Sequence, residues 1–197
     1  MVETKRVDVS IYQTPKAGNF YCGDSYYYYE DDRYFICALA DGLGSGELAR
    51  ESSMAVMNVV KSEPTMDTAE LVKESNKVLI GKRGVVLGIL KLDYHKKVYT
   101  YASIGNIGLI TITVDTLKKR MIPISGYLGV YARAMKEEQG QLESGTIFAL
   151  FSDGVSSHDL SHELFKKRNV IEMTDTFAER LDHNHADDTT LIIIKYH

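Results

Sequence analysis

Apolar and polar positions along the chain alternate with period two in some stretches and with helical spacing in others. Val7, Val9 and Ile11 alternate with Asp8, Ser10 and Tyr12, which predicts a half-buried strand broken by Pro15 and Gly18. The tetrad Tyr26-Tyr27-Tyr28-Tyr29 favours a strand whose alternation turns two rings inward and two outward. Glu30-Asp31-Asp32 forms a polar turn into the apolar run from 34 to 40, completing a hairpin. From 47 to 60 the pattern is helical, with Leu48, Ser52, Ala55, Val56, Val59 and Val60 on one face. Asp67 and Glu70 mark a second helix start, and Leu71, Val72, Val78 and Leu79 continue it to Gly81.

Beyond Gly84 the period is that of strands, over 85–92, 98–104 and 107–114. The Gly105-Asn106 link between the last two predicts a hairpin. A further strand is expected within 117–122, a polar loop over 131–140, and a buried strand over 146–151 that ends in Asp153-Gly154. A short helix over 158–167 and a longer one carrying Val170, Ile171, Thr174, Phe177, Ala178 and Leu181 precede the last strand, 191–194. Helices are segregated from strands. That order predicts an α+β fold of antiparallel sheet packed by helices, in a single domain spanning 1–197.

Composition narrows the function classes. A formal charge of -4 gives no general attraction to nucleic acid or anionic lipid. No apolar run approaches the roughly 20 residues that span a bilayer, and the first residues carry no signal-peptide core. Cys22 and Cys37 lack metal-ligand or redox spacing. These features read as a soluble cytoplasmic protein. His183 and His185 flank Asp187 but read as a solvated loop, and Lys82-Arg83 reads as a solvated basic pair. The glycines at 42, 44 and 46 are not a nucleotide-binding loop, because no Gly-Lys-Ser/Thr follows.

The chemistry lies in four aspartates at strand ends. Asp24 follows Gly23, Asp41 precedes Gly42, Asp153 precedes Gly154, and Asp187 enters the last strand. Each alone is ordinary turn chemistry. Gathered on one edge of a sheet they would repel one another unless cations neutralised them, and oxygen-only donors select Mg²⁺ or Mn²⁺. Two such ions about 3.5–4 Å apart activate water for in-line attack on a phosphate.

Ala40-Asp41-Gly42-Leu43-Gly44-Ser45-Gly46, then Ser152-Asp153-Gly154, then Asp187-Asp188-Thr189-Thr190 before a strand resemble, in that order, the motifs of the PPM family of serine/threonine protein phosphatases. Gly23-Asp24 matches the family's early acidic motif. Cys22-Gly23-Asp24-Ser25, Lys82-Arg83-Gly84, Ser103-Ile104-Gly105-Asn106 and Pro123-Ile124-Ser125-Gly126-Tyr127-Leu128 resemble the compact bacterial SpoIIE subgroup, which includes regulators of sigma-B. The resemblance implies an α-β-β-α sandwich of two antiparallel sheets flanked by helices. It implies a Mn²⁺- or Mg²⁺-dependent phosphatase with two ions. Asp41 would bridge both ions, the Gly42 carbonyl would help hold the second, and Asp153 and Asp187 would hold the first. Asp24 would contact water on the ions or ligate directly, and Asp188 would support them. The implied partners are phosphorylated stressosome-type proteins, with negative feedback on sigma-B. The arginine that grips phosphate in larger relatives has no counterpart among Asn19 and Tyr21, which leaves the phosphate clamp open. A pseudophosphatase that docks a regulator and a small-molecule phosphatase are the competing readings.

Overall fold

Several strands of this chain are apolar on both faces, so each face must be covered. The computed structural model describes residues 5–122, 124–129, 135–181 and 186–197. Its elements are, in order, β1 (Val7–Thr14), β2 (Asp24–Glu30), β3 (Tyr34–Gly42), α1 (Glu47–Ser62), α2 (Thr68–Lys77), β4 (Val85–Asp93) and β5 (Val98–Ile104). There follow β6 (Gly108–Ile112), β7 (Lys118–Arg120), β8 (Lys136–Gln141), β9 (Ile147–Phe151), α3 (His162–Lys166), α4 (Val170–Arg180) and β10 (Thr189–Tyr196). One sheet runs β1-β10-β9-β6-β7 and the other β2-β3-β4-β5-β8, with every pairing antiparallel.

β3 shows why the layers form. Phe35, Cys37 and Leu39 point into the core between the sheets, where they meet Leu90, Leu109, Phe148, Leu150 and Ile192. Ile36, Ala38 and Ala40 point the other way, against Val56 and Val60 of α1 and Leu71 of α2. In the first sheet, Ala149, Leu191 and Ile193 lie beneath Phe165 of α3 and Met173 and Phe177 of α4. The result is the expected α-β-β-α sandwich. The tyrosine tetrad alternates as expected: Tyr27 and Tyr29 pack beside α1's cluster, while Tyr26 and Tyr28 are exposed. Among the described residues no helix is long and apolar enough to cross a membrane.

Three local expectations are corrected. Gly105-Asn106 is not a hairpin link: β5 belongs to one sheet and β6 to the other, so the chain crosses the sandwich there. Both edges of β5 are already taken, by β4 and β8. The expected loop over 131–140 lies outside the described residues up to 134, and 136–141 forms β8. An edge strand of Lys, Glu and Gln is held by its backbone ladder and carries no apolar signal. The second helix ends at Lys77 rather than near Gly81, and Asp67 occupies its N-cap position without a side-chain capping bond. His183 and His185 also lie outside the described residues.

Candidate metal centre

The acidic residues gather at one end of the sandwich because the strands that carry them are paired in register. Asp24 opens β2 and lies opposite Asp41, which also pairs with Val86 of β4. Asp153 follows β9 and Asp187 precedes β10, and these two strands are neighbours in the other sheet. Asp41, Asp153 and Asp187 line one open cleft of about 340 Å³, together with Lys16, Leu43, Gly44, Ser45, Val86 and Asn106.

Asp24 is buried behind this cleft, 3% exposed. Its Oδ2 accepts a 2.6 Å bond from the Thr190 hydroxyl, which itself accepts a bond from the Gln13 side-chain amide at 3.0 Å. Its Oδ1 is buried with no partner among the described residues. Asp188 is likewise buried, but both of its oxygens are engaged: Oδ1 takes the Lys16 N–H at 2.8 Å and Oδ2 the Gly23 N–H at 2.9 Å. Asp188 thus ties the chain leaving β1 and the chain entering β2 to the start of β10. Asp187 Oδ1 accepts the Asp188 N–H at 2.9 Å.

Two glycines let the loops approach. A Cβ on Gly42 would stand 2.0 Å from the Ala49 carbonyl oxygen of α1. A Cβ on Gly154 would stand 2.3 Å from the Asp188 carbonyl oxygen, so no larger residue lets the β9 loop close against the β10 loop. Gly42 itself is buried beneath α1, while Asp41, Leu43, Gly44 and Ser45 around it face the cleft.

Burial and mutual repulsion raise the affinity of this cluster for protons. The Asp41 carboxyl is pushed up to about 8 by burial, then by Asp24, Asp153, Asp187 and Asp188. Asp24 is raised to about 6, chiefly by burial, although the Thr190 and Ser152 hydroxyls pull it back. Asp153 is raised by burial and by Asp187, against the lowering effect of Asn106. Such a set is incomplete without positive charge. Every donor is oxygen, which fits hard divalent cations, and the partnerless Asp24 Oδ1 is a further free acceptor behind the cleft. Among the described residues no three His, Cys, Asp or Glu side chains close into a ready ligand set. A cation here would draw part of its shell from water, as Mg²⁺ commonly does.

Sequence reasoning did not assign Asn106 or Lys16 to this site. Asn106 Nδ2 donates to Asp153 Oδ2 at 2.6 Å. Its signal is the Gly105-Asn106 pair, whose composition predicts a hairpin. Ser152 and Thr190 are also supporting residues: the Ser152 Oγ accepts the Thr190 N–H at 2.9 Å, joining β9's exit to β10's entry. The basic pair is only partly free. Lys82 is paired with Glu51, and Arg83 donates to the Leu43 carbonyl at 3.2 Å.

Known proteins share this arrangement of strands. Residues 31–197 match the family described as Stage II sporulation protein E (SpoIIE). The chain is 33% identical over 191 residues to phosphoserine phosphatase RsbX of Bacillus subtilis (strain 168), covering 97% of this chain and 96% of the relative. A crystal structure of RsbX in complex with magnesium superposes with a TM-score of 0.90 at 32% identity, covering 99% of this chain and 98% of that one. A chain solved in work on the bacterial stressosome, a modular system adapted to control secondary messenger signaling, superposes with a TM-score of 0.87. It is 21% identical and covers 97% and 100% of the two chains, a likeness of fold.

Proposed function

The chain belongs to the SpoIIE family of PPM-type phosphatases, and we propose that it removes phosphate from phosphoserine or phosphothreonine in stressosome-type regulatory proteins. The observation that carries this reading is the convergence of Asp41, Asp153 and Asp187 on one cleft, where burial and then the neighbouring carboxylates push Asp41 up to about 8. In this reading the enzyme depends on Mg²⁺ or Mn²⁺, as two ions. Asp41 would serve both, the Gly42 carbonyl would help hold the second, and Asp153 and Asp187 would hold the first.

When bound, the ions supply acidified water and neutralise phosphate oxygens. The chain's own residues do the positioning. The β2-β3-β4 ladder fixes the Asp41 backbone on both sides. Asn106 holds the Asp153 carboxylate in one orientation, as groups behind a ligand commonly do. Thr190 and Ser152 keep Asp24 aimed behind Asp41, where it orders water or ligates directly. Asp188 supports the centre by holding the loops together rather than by facing the cleft. Water attacks the phosphorus in line, and the bond from phosphorus to the serine or threonine oxygen breaks. The proton given up by the water goes to that departing oxygen, so the products are the free hydroxyl and inorganic phosphate and no phosphoenzyme forms.

The whole chain folds as one domain in this reading and acts in the cytoplasm, where its two free buried cysteines suit a reducing compartment. Its role is that of negative feedback on sigma-B: restoring stressosome proteins to their unphosphorylated state. The test is phosphate release from phosphorylated stressosome-type proteins, with and without Mn²⁺ or Mg²⁺, in competition with a sugar phosphate. Metal-dependent release with a strong preference for the phosphoprotein supports the reading. Folded protein that binds the phosphoprotein without turnover would make the chain a docking module, and equal rates on the sugar phosphate would make it a small-molecule phosphatase.

A further inference from the structure

A phosphomonoester brings nearly two negative charges to a cleft already lined by three carboxylates. Metal ions offset the carboxylates, but the outward phosphate oxygens still need donors. The cleft wall carries few. The Asn106 amide already donates to Asp153, and the Ser45 hydroxyl is neutral. Among the described residues lining it, Lys16 is the one cation. Its ammonium makes no ion pair within 4 Å among the described residues, although three aspartates line the same cleft.

Lys16 also stands on a fixed base, unlike an ordinary surface lysine. Thr14, the last residue of β1, is paired with Thr189 of β10. Pro15 then restricts the backbone. The Lys16 N–H donates to Asp188 Oδ1 at 2.8 Å, and its carbonyl accepts the Asn19 N–H at 2.9 Å. Half-buried Lys16 therefore has a held backbone and lines the cleft. Arg83 is the competing cation, but it is exposed, bonded to the Leu43 carbonyl, and outside the cleft lining.

We infer that Lys16 is the residue that receives the substrate's phosphate, an assignment that rests on the phosphatase reading above. A lysine ammonium is a compact charge with three donors, suited to a phosphate whose remaining oxygens face metal ions. It supplies the cation that Asn19 and Tyr21 do not, from the same connection between β1 and β2, three and five residues earlier.

The test compares the wild type with Lys16→Met, Lys16→Gln and Lys16→Arg at saturating Mg²⁺, each first checked by thermal melting. Inorganic phosphate is the inhibitor and p-nitrophenyl phosphate the substrate. Lys16→Met and Lys16→Gln are expected to raise the inhibition constant of inorganic phosphate about tenfold, equivalent to about 1.4 kcal/mol. They also raise KM more than they lower kcat, and Lys16→Arg recovers most of the loss. Mg²⁺ titration by calorimetry, without phosphate, is expected to show affinity equal to or above wild type, because a neighbouring positive charge has gone. Unchanged phosphate inhibition in a folded, Mg²⁺-binding Lys16→Met variant overturns the assignment. So does a matching loss of Mg²⁺ affinity, which would make Lys16 a prop for the carboxylates. If the wild type neither binds Mg²⁺ nor turns over, the phosphatase reading itself fails and this assignment falls with it.

Discussion

Replacing Asp41 with asparagine removes one negative charge from the cluster and keeps the shape of the side chain. In the folded chain the Asp41 carboxyl holds its proton up to about pH 8, against an ordinary 3.8. The folded state therefore keeps a proton that the unfolded chain has lost, and stability without metal falls as pH rises from about 4 to about 8, then levels off. At 1.36 kcal/mol per pH unit the full interval is worth about 6 kcal/mol. Solvent reaches the cleft and the neighbouring carboxylates take up protons in its place, so we expect about half of that, roughly 3 kcal/mol. For a chain of this size that is a rise in melting temperature of about 6–12 °C for Asp41→Asn at pH 8 in chelator.

Divalent ion reverses the order. At a thousand times its dissociation constant, Mg²⁺ stabilises the wild type by about 4.1 kcal/mol, more than that deficit of about 3 kcal/mol, whereas the variant gains little. Turnover in the variant is expected to vanish. The assay is a set of melts from pH 5 to pH 9, with chelator or with Mg²⁺, beside phosphate release. A variant that is less stable than wild type at pH 8 without metal, or that responds to Mg²⁺ as wild type does, would refute the role given to Asp41.

Gly42→Ala places a methyl 2.0 Å from the Ala49 carbonyl oxygen and should destabilise the fold by roughly 1–3 kcal/mol in denaturant titration. Thr190→Val strands the Asp24 Oδ2 without its hydroxyl donor and should lose about 1–3 kcal/mol, with the loss growing above pH 6 as Asp24 ionises. Asn106→Ala frees the Asp153 carboxylate and is expected to weaken Mg²⁺ binding about 10- to 100-fold by calorimetry while the melting curve barely moves.

Most of the elements, and the family, were legible in the chain itself, for a physical reason. Strands covered on both faces must be apolar on both faces, so the runs around Phe35, Leu87, Phe148 and Ile192 announce themselves. Aspartate beside glycine at a strand end is equally visible, because close loop packing and acid chemistry both restrict residue choice. What stayed hidden depended on partners far away in sequence. β8 is polar because it is an edge strand, and only its ladder with β5 makes it a strand. Gly105-Asn106 has the composition of a hairpin, yet it crosses between sheets because both edges of β5 are occupied.

The site divides in the same way. Residue type and order alone marked Asp24, Asp41, Asp153 and Asp187 as candidate ion ligands, since carboxylates at strand ends carry that chemistry wherever they meet. Tertiary structure decided how they differ. Pairing across β2 and β3 sets Asp24 behind Asp41, burial separates Asp188 from its exposed neighbour Asp187, and the end of β1 brings Lys16 to the cleft. None of these follows from local spacing, because burial, repulsion and reach are properties of groups brought together from distant parts of the chain.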